Sequence, residues 1–185
     1  YLMNGNTVTI RNGAGMVFSQ TLLPLNPVIT KIGGQDANGD YRFLVPVNDG
    51  PGGLLDTNFP PNPDPGTNIV DMGAWRIEIG STQPSQQEYF LNVLSVADNT
   101  PGLQPPVANN LSTGSAAVAE LANNQVVAFN KMDAPTATLQ WDMPAPNLAT
   151  LIAGIDPSNS YSITAVSNAP PASGYHIVVC QDPGG

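Results

Sequence analysis

Basic side chains are scarce in this chain of 185 residues, which carries 5 Lys and Arg against 14 Asp and Glu. The formal net charge is −9 at pH 7. Nucleic acids and anionic membrane surfaces are bound largely through clustered Lys and Arg, so the composition argues against both kinds of partner. Uninterrupted apolar runs are short, whereas a membrane-spanning helix needs about 20 such residues in succession. We therefore expect neither nucleic-acid binding nor membrane insertion.

Cysteine and histidine occur once each, as Cys180 and His176. A single cysteine excludes an internal disulfide, a single histidine excludes a two-histidine metal site, and a Ser/His/Asp triad would have to use His176. Both residues lie in an apolar segment, 175–180, that is typical of a strand. An inert thiol and a packed or hydrogen-bonded histidine are the simpler interpretations. With no nucleophile or phosphate-loop motif elsewhere, we predict that this chain alone is not an enzyme.

Helical periodicity is nearly absent, and short alternating segments with turn residues between them recur along the chain. The clearest alternation covers residues 74–79. Residues 116–120 are expected to pair with 126–130 through a turn at Asn123 and Asn124, because Asn tolerates positive φ. About a dozen such segments predict an all-β fold, specifically an antiparallel β-sandwich.

Two long Pro- and Gly-rich segments interrupt the strands, at residues 46–71 and 100–113, and both are predicted to be loops. Loops of this length in compact domains are usually functional or mobile, so we expect the first to contact a partner. A single domain over 1–185 is predicted, with a subdivision near 99–113 as the alternative. Few charges and many small polar residues predict a secreted, periplasmic or cell-surface protein. The chain begins with Tyr1, and we expect either a processed chain or a piece of a longer one.

Aromatic side chains are candidates for stacking on sugar rings. Phe59, Tyr41 and Trp141 are the three that we assign to carbohydrate binding. Packing is the competing interpretation, especially for Trp141, which follows Leu139 by two positions and therefore shares its face of a strand. The scarcity of Lys and Arg disfavours tight binding of uronates and penalises neutral glycans less.

An acidic segment near residue 38 has oxygen-bearing side chains at alternate positions. Asp36, Asn38 and Asp40 have the spacing seen in calcium-binding loops, without the later bidentate Glu of an EF-hand. A hairpin turn between two strands explains the same residues. Calcium is the one cofactor that the sequence suggests, and no other is expected.

Several segments, in order, resemble the C-terminal β-domain of heparinase II/III-like polysaccharide lyases. The first is a "TLLP" segment followed by a Gly-Gly turn, and the next are "WRIE" and "FLNVL". Residues 14–98 carry the resemblance, and the second half of the chain matches in style alone. The matching segments lie at residues 15–27, 29–34, 73–79 and 88–94.

The resemblance implies an extracellular protein that takes part in polysaccharide degradation. In that family the catalytic residues belong to a helical toroid and an adjoining sheet, and the toroid is absent from this sequence, so no catalytic residue is carried over. The implied function is a non-catalytic domain that supports a catalytic domain or contacts polysaccharide. The alternative is an extracellular structural β-protein that assembles with its own copies by strand pairing.

Overall fold

The computed structural model describes residues 2–33, 44–48, 54–58, 75–83, 85–132, 138–144, 149–167 and 174–182. Every regular element in these residues is a β-strand, which confirms the all-β prediction. The strands are β1 Leu2–Asn4, β2 Thr7–Asn12, β3 Gly15–Leu23, β4 Pro27–Gly33, β5 Leu44–Asn48, β6 Leu54–Asn58, β7 Trp75–Ser81, β8 Leu91–Asp98, β9 Ala108–Asn110, β10 Ala116–Leu121, β11 Gln125–Asn130, β12 Thr138–Met143, β13 Ala149–Ala153, β14 Tyr161–Ser167 and β15 Tyr175–Gln181.

The chain divides into two compact units. The larger contains Tyr1–Asn26 and Ser85–Gly185, and the smaller contains Pro27–Pro84. The smaller unit is an insertion between β3 and β8, which pair with each other in one sheet. Residues 99–113, the alternative place for a subdivision, belong to the larger unit.

The described residues of the larger unit form three sheets. The β3 sheet has the order β1-β2-β3-β8, the β10 sheet has the order β13-β11-β10-β9, and the β15 sheet has the order β12-β15-β14. All pairings are antiparallel except that of β11 with β13. That parallel pair departs from the predicted antiparallel fold. It arises because the chain leaves the β10 sheet after β11, forms β12 in the β15 sheet, and returns as β13.

The β10 sheet is the middle layer of a sandwich-like stack. One face of β10 presents Ala116 and Val118 to the β15 sheet, where they pack in one cluster with Trp141 and Val179. The opposite face presents Ala117 and Ala119, which pack with Leu22 of β3 and Leu91 of β8. Because both faces are covered, the first four residues of β10 are all buried. Small side chains on a central strand allow the two neighbouring layers to approach it closely.

The hairpin of β10 and β11 confirms the predicted turn. Its register joins Ala116 to Asn130 at one end and Leu121 to Gln125 at the other. The backbone N–H of Asn124 donates to the carbonyl of Leu121 at 3.2 Å, and Asn124 has φ of 60°. This is a three-residue loop with its last residue in the left-handed region, for which Asn is well suited.

Substitutions at Asn124 test the requirement for positive φ. We expect Asn124→Gly to leave the free energy of unfolding nearly unchanged, and Asn124→Val to lower it by about 1–2 kcal/mol, because a β-branched residue is strained in this region. Urea denaturation of the two variants measures the difference. Equal stability of the glycine and valine variants would contradict the assignment.

The described residues of the smaller unit form two antiparallel strand pairs. β4 pairs with β7, with Thr30 opposite Glu78, and on β7 Arg76 Nε lies 2.7 Å from Glu78 Oε1. β5 pairs with β6, with Pro46 opposite Asp56. The prediction that 46–71 is free of strands is therefore wrong. A proline is tolerated in β5 because each strand of a two-stranded sheet is an edge. The segment 100–113 likewise contains β9, which pairs with β10.

Candidate functional site

Trp141 is the one predicted sugar-binding residue that the structure describes, and it lies in the core. Its side chain is 0% exposed and packs in the cluster between the β10 and β15 sheets. A sugar could reach the ring only if the sheets separated, so its assignment to carbohydrate binding is corrected to a packing role. The other predicted residues lie outside the described part of the chain: Phe59 and Tyr41 for sugars, and Asp36, Asn38 and Asp40 for calcium.

His176 and Asp142 form a cross-strand pair between β15 and β12. His176 Nδ1 lies 2.9 Å from Asp142 Oδ1, and the two side chains are 40% and 72% exposed. Within the described ranges, Asp142 is the only hydrogen-bond partner of this imidazole, and no triad is assembled around it. The same ranges contain no group of three His, Cys, Asp or Glu side chains arranged to hold a metal ion. They also contain no helix with the length and apolarity that membrane spanning demands.

A groove with both polar and apolar lining lies on one face of the β3 sheet. Thr7, Thr9 and Arg11 occupy alternate positions of β2 and therefore share that face. Leu2 and Asn4 of β1 stand opposite Thr9 and Thr7 in the register. The segment from Gly102 to Pro105 closes the other side, giving a cavity of about 440 Å³. We call it the β1–β2 groove, and its lining is Leu2, Asn4, Thr7, Thr9, Arg11, Phe18, Gly102, Leu103, Gln104 and Pro105.

The strand side of the groove is set by a tight turn. Gly5 has φ of 59°, which the first position of a two-residue hairpin loop requires. Asn6, the second turn residue, is bound to β3 in two ways. Its carbonyl accepts the backbone N–H of Thr21 at 2.9 Å, and its side-chain amide donates to the carbonyl of Thr21 at 2.7 Å. The polar face of β1 and β2 is therefore held in place by β3.

The loop side of the groove is a defined turn. The N–H of Leu103 donates to the carbonyl of Thr100 at 3.2 Å, and Gly102 has φ of 77°. Pro101 followed by a glycine with positive φ is the pattern of a type II turn. Asn99 ties this turn to the β2–β3 hairpin, since its side-chain amide donates to the carbonyl of Gly13 at 3.0 Å across 86 residues of sequence.

The chemistry of the groove is that of a hydrogen-bonding surface with one positive charge. Asn4, Gln104, Thr7 and Thr9 supply amide and hydroxyl groups, and no carboxylate is part of the lining. Within the described residues Arg11 is exposed and enters no ion pair. A guanidinium with free N–H groups binds a carboxylate in a bidentate manner. Phe18 forms the floor and is 1% exposed, so its ring offers no face for stacking.

Sequence reasoning did not identify this groove. The alternation of residues 7–11 predicts a strand. It does not show which residues pack beside the polar face of that strand. The turn at residues 100–103 that completes the site is remote in sequence, and the pairing of β8 with β3, together with the hydrogen bonds of Asn99, brings it to the hairpin.

No family model matches this chain, and no curated protein matches it.

Proposed function

We propose that this chain is a non-catalytic extracellular β-domain that contacts polysaccharide, in the manner of the C-terminal domain that its first half resembles. The β1–β2 groove is the observation that carries the proposal. Its volume of about 440 Å³ lies within the range of about 300–1,000 Å³ usual for ligand sites. Support of a catalytic domain is compatible with this function, because a domain that holds polysaccharide would keep it near the catalytic residues.

Groups in the groove suit a sugar chain that carries carboxylates. Hydroxyl and amide side chains match the hydroxyl groups of sugars, and Arg11 matches one carboxylate. The net charge of −9 opposes a polyanion at long range. Among the residues that the structure describes, however, no acidic side chain lines the groove. At physiological salt, charges beyond about 8 Å are largely screened, so the local guanidinium dominates at the site.

Arg11→Ala tests the assignment. We expect the variant to bind an oligogalacturonate at least about ten-fold more weakly than the wild type, because a hydrogen bond to a charged group contributes about 1.5–3 kcal/mol and about 1.4 kcal/mol is a factor of ten. Isothermal titration calorimetry with an oligogalacturonate, and with a neutral glucan oligomer of the same length, measures both affinities. Binding of the neutral oligomer should change little.

Arg76→Ala is the matched control, since it removes one positive charge from the smaller unit, where the guanidinium is paired with Glu78. Its affinity for the uronate should equal that of the wild type. Equal losses in the two variants would indicate a diffuse charge effect and would overturn the role of the groove. A wild-type protein that binds neither oligomer would overturn the proposed function.

The alternative function, assembly of copies into a structural layer or filament, has its own observation in its favour. This is the exposed outer edge of β14, the last strand of the β15 sheet.

A further inference from the structure

No described strand covers the outer edge of β14, and β14 lacks the features that normally protect sheet edges. Among the described residues β14 pairs with β15 alone. Its side chains from Ser162 to Ser167 are all exposed, including Ile163 at 64% and Val166 at 54%. Protected edges usually carry a Lys, a Pro, an inward charge or a bulge. The sequence YSITAVS contains none of these residues, and its register with β15 is continuous.

The backbone groups that face outward can be identified from one hydrogen bond. The N–H of Asp182 donates to the carbonyl of Ser160 at 2.9 Å, and these residues continue the register of Tyr161 with Gln181. In an antiparallel pair, hydrogen-bonded and non-hydrogen-bonded residue pairs alternate. The backbone N–H and C=O groups of the even-numbered residues of β14 are therefore hydrogen-bonded to β15. The N–H and C=O groups that face outward belong to Tyr161, Ile163, Ala165 and Ser167.

We propose that β14 pairs antiparallel with β14 of a second copy of this chain, about a two-fold axis at Thr164. In this register the seven-residue strand overlaps its partner completely. Ile163 lies opposite Ala165 of the second copy, so outward donors meet outward acceptors. Thr164 lies opposite its own counterpart. Residues opposed in this way are an even number of positions apart, so their side chains share a face, as strand geometry requires.

A second copy can meet this edge without like charges facing each other along the strand. The chain has a net charge of −9, which disfavours contact between most parts of its surface. No charged residue lies within β14, so self-pairing opposes no like charges along the strand. A Thr–Thr pair at the axis is a favourable cross-strand contact. Two three-stranded β15 sheets would then become one continuous sheet.

The dimer should be weak. A single strand pair buries less than the about 1,200 Å² found in stable, specific interfaces. Self-association is therefore expected only at high protein concentration. The proposed dimer does not involve the β1–β2 groove, whose lining lies on other strands and loops. An experiment can therefore contradict the dimer without contradicting the proposed function, and the reverse also holds.

Disulfide cross-linking tests the register. Thr164 and its counterpart form a non-hydrogen-bonded pair, whose Cα atoms are about 4.5 Å apart, within the disulfide range of about 4.4–6.8 Å. In a Cys180→Ser background, which removes the only other thiol, Thr164→Cys should give a covalent dimer on mild oxidation. Ser162→Cys, equally exposed on the same strand, is the matched control and should stay monomeric, since it opposes Val166.

Thr164→Lys provides a second measurement that needs no cysteine. Its side chain is exposed, so the fold should tolerate the change, while two ammonium groups would face each other across the axis. Sedimentation velocity should show a concentration-dependent dimer for the wild type and its loss in this variant. Equal cross-linking of both cysteine variants would overturn the register. Absence of cross-linking in both, or a wild type that stays monomeric at high concentration, would overturn the proposal.

Discussion

Replacement of Trp141 by alanine is expected to lower the free energy of unfolding by about 3–5 kcal/mol, the range for loss of a large aromatic side chain from a core. The side chain is 0% exposed and is among the largest that are fully buried. It lies opposite Ile177 in the register of β12 with β15 and packs against Val118 and Val126 of the middle layer. Its removal leaves a cavity where two sheets meet. Urea denaturation followed by circular dichroism measures the change.

Trp141→Phe separates volume from hydrogen bonding at the same position. Within the described part of the chain, the indole Nε1 is buried without a hydrogen-bond partner. Phenylalanine keeps an aromatic ring and removes that unpaired donor, whose burial costs about 1–3 kcal/mol. We therefore expect a loss of less than about 1.5 kcal/mol, since the two effects oppose each other. A phenylalanine variant as unstable as the alanine variant would show that the N–H group is satisfied in solution.

Ala119→Leu has the second largest expected effect, a loss of about 3 kcal/mol, at the upper end of what overpacking a core costs. Ala119 is 2% exposed and packs against Leu22 and Leu91 of the β3 sheet. The extra carbon atoms must push that sheet away from β10 or distort both. Because the opposite face of β10 packs against the β15 sheet, the strand cannot shift to make room. Chemical denaturation gives the loss of stability.

Ala122→Leu is the control for that experiment. It makes the same change in the exposed turn that follows β10, where surface substitutions usually alter stability by less than about 0.5 kcal/mol. Similar stability of the two variants would contradict the three-layer arrangement. It would mean that the face of β10 toward the β3 sheet accommodates a larger side chain.

Strands were predictable where local patterns are strong. The alternation around Ile77 and Ile79 became β7, and the Asn residues between β10 and β11 became a turn with positive φ. β6 and the last three residues of β5 were missed because Pro46 and the surrounding glycines are turn signals in most contexts. β9 was missed for a different reason, since three residues are too few to show a period.

The candidate site was much less predictable than the strands. The burial of Trp141 depends on residues of two sheets that are distant in sequence, including Val118 and Val179, so the local pattern allowed its assignment to sugar binding. Arg11 attracted no functional assignment because an arginine on an alternating strand is ordinarily a solvated residue. Its importance here follows from the turn at Gly102, which only the folded chain places beside it.

The amino-acid pattern by itself determined that this protein is an acidic, strand-rich chain with turns at its Gly, Pro and Asn clusters. Side-chain period and backbone φ are local properties, so short segments suffice to encode them. The tertiary structure alone decided that β10 is covered on both faces, that β11 and β13 run parallel, and that a distant turn closes the β1–β2 groove. These features depend on contacts between residues far apart in sequence. The periodicity of a short segment does not specify which sheet its strand will join.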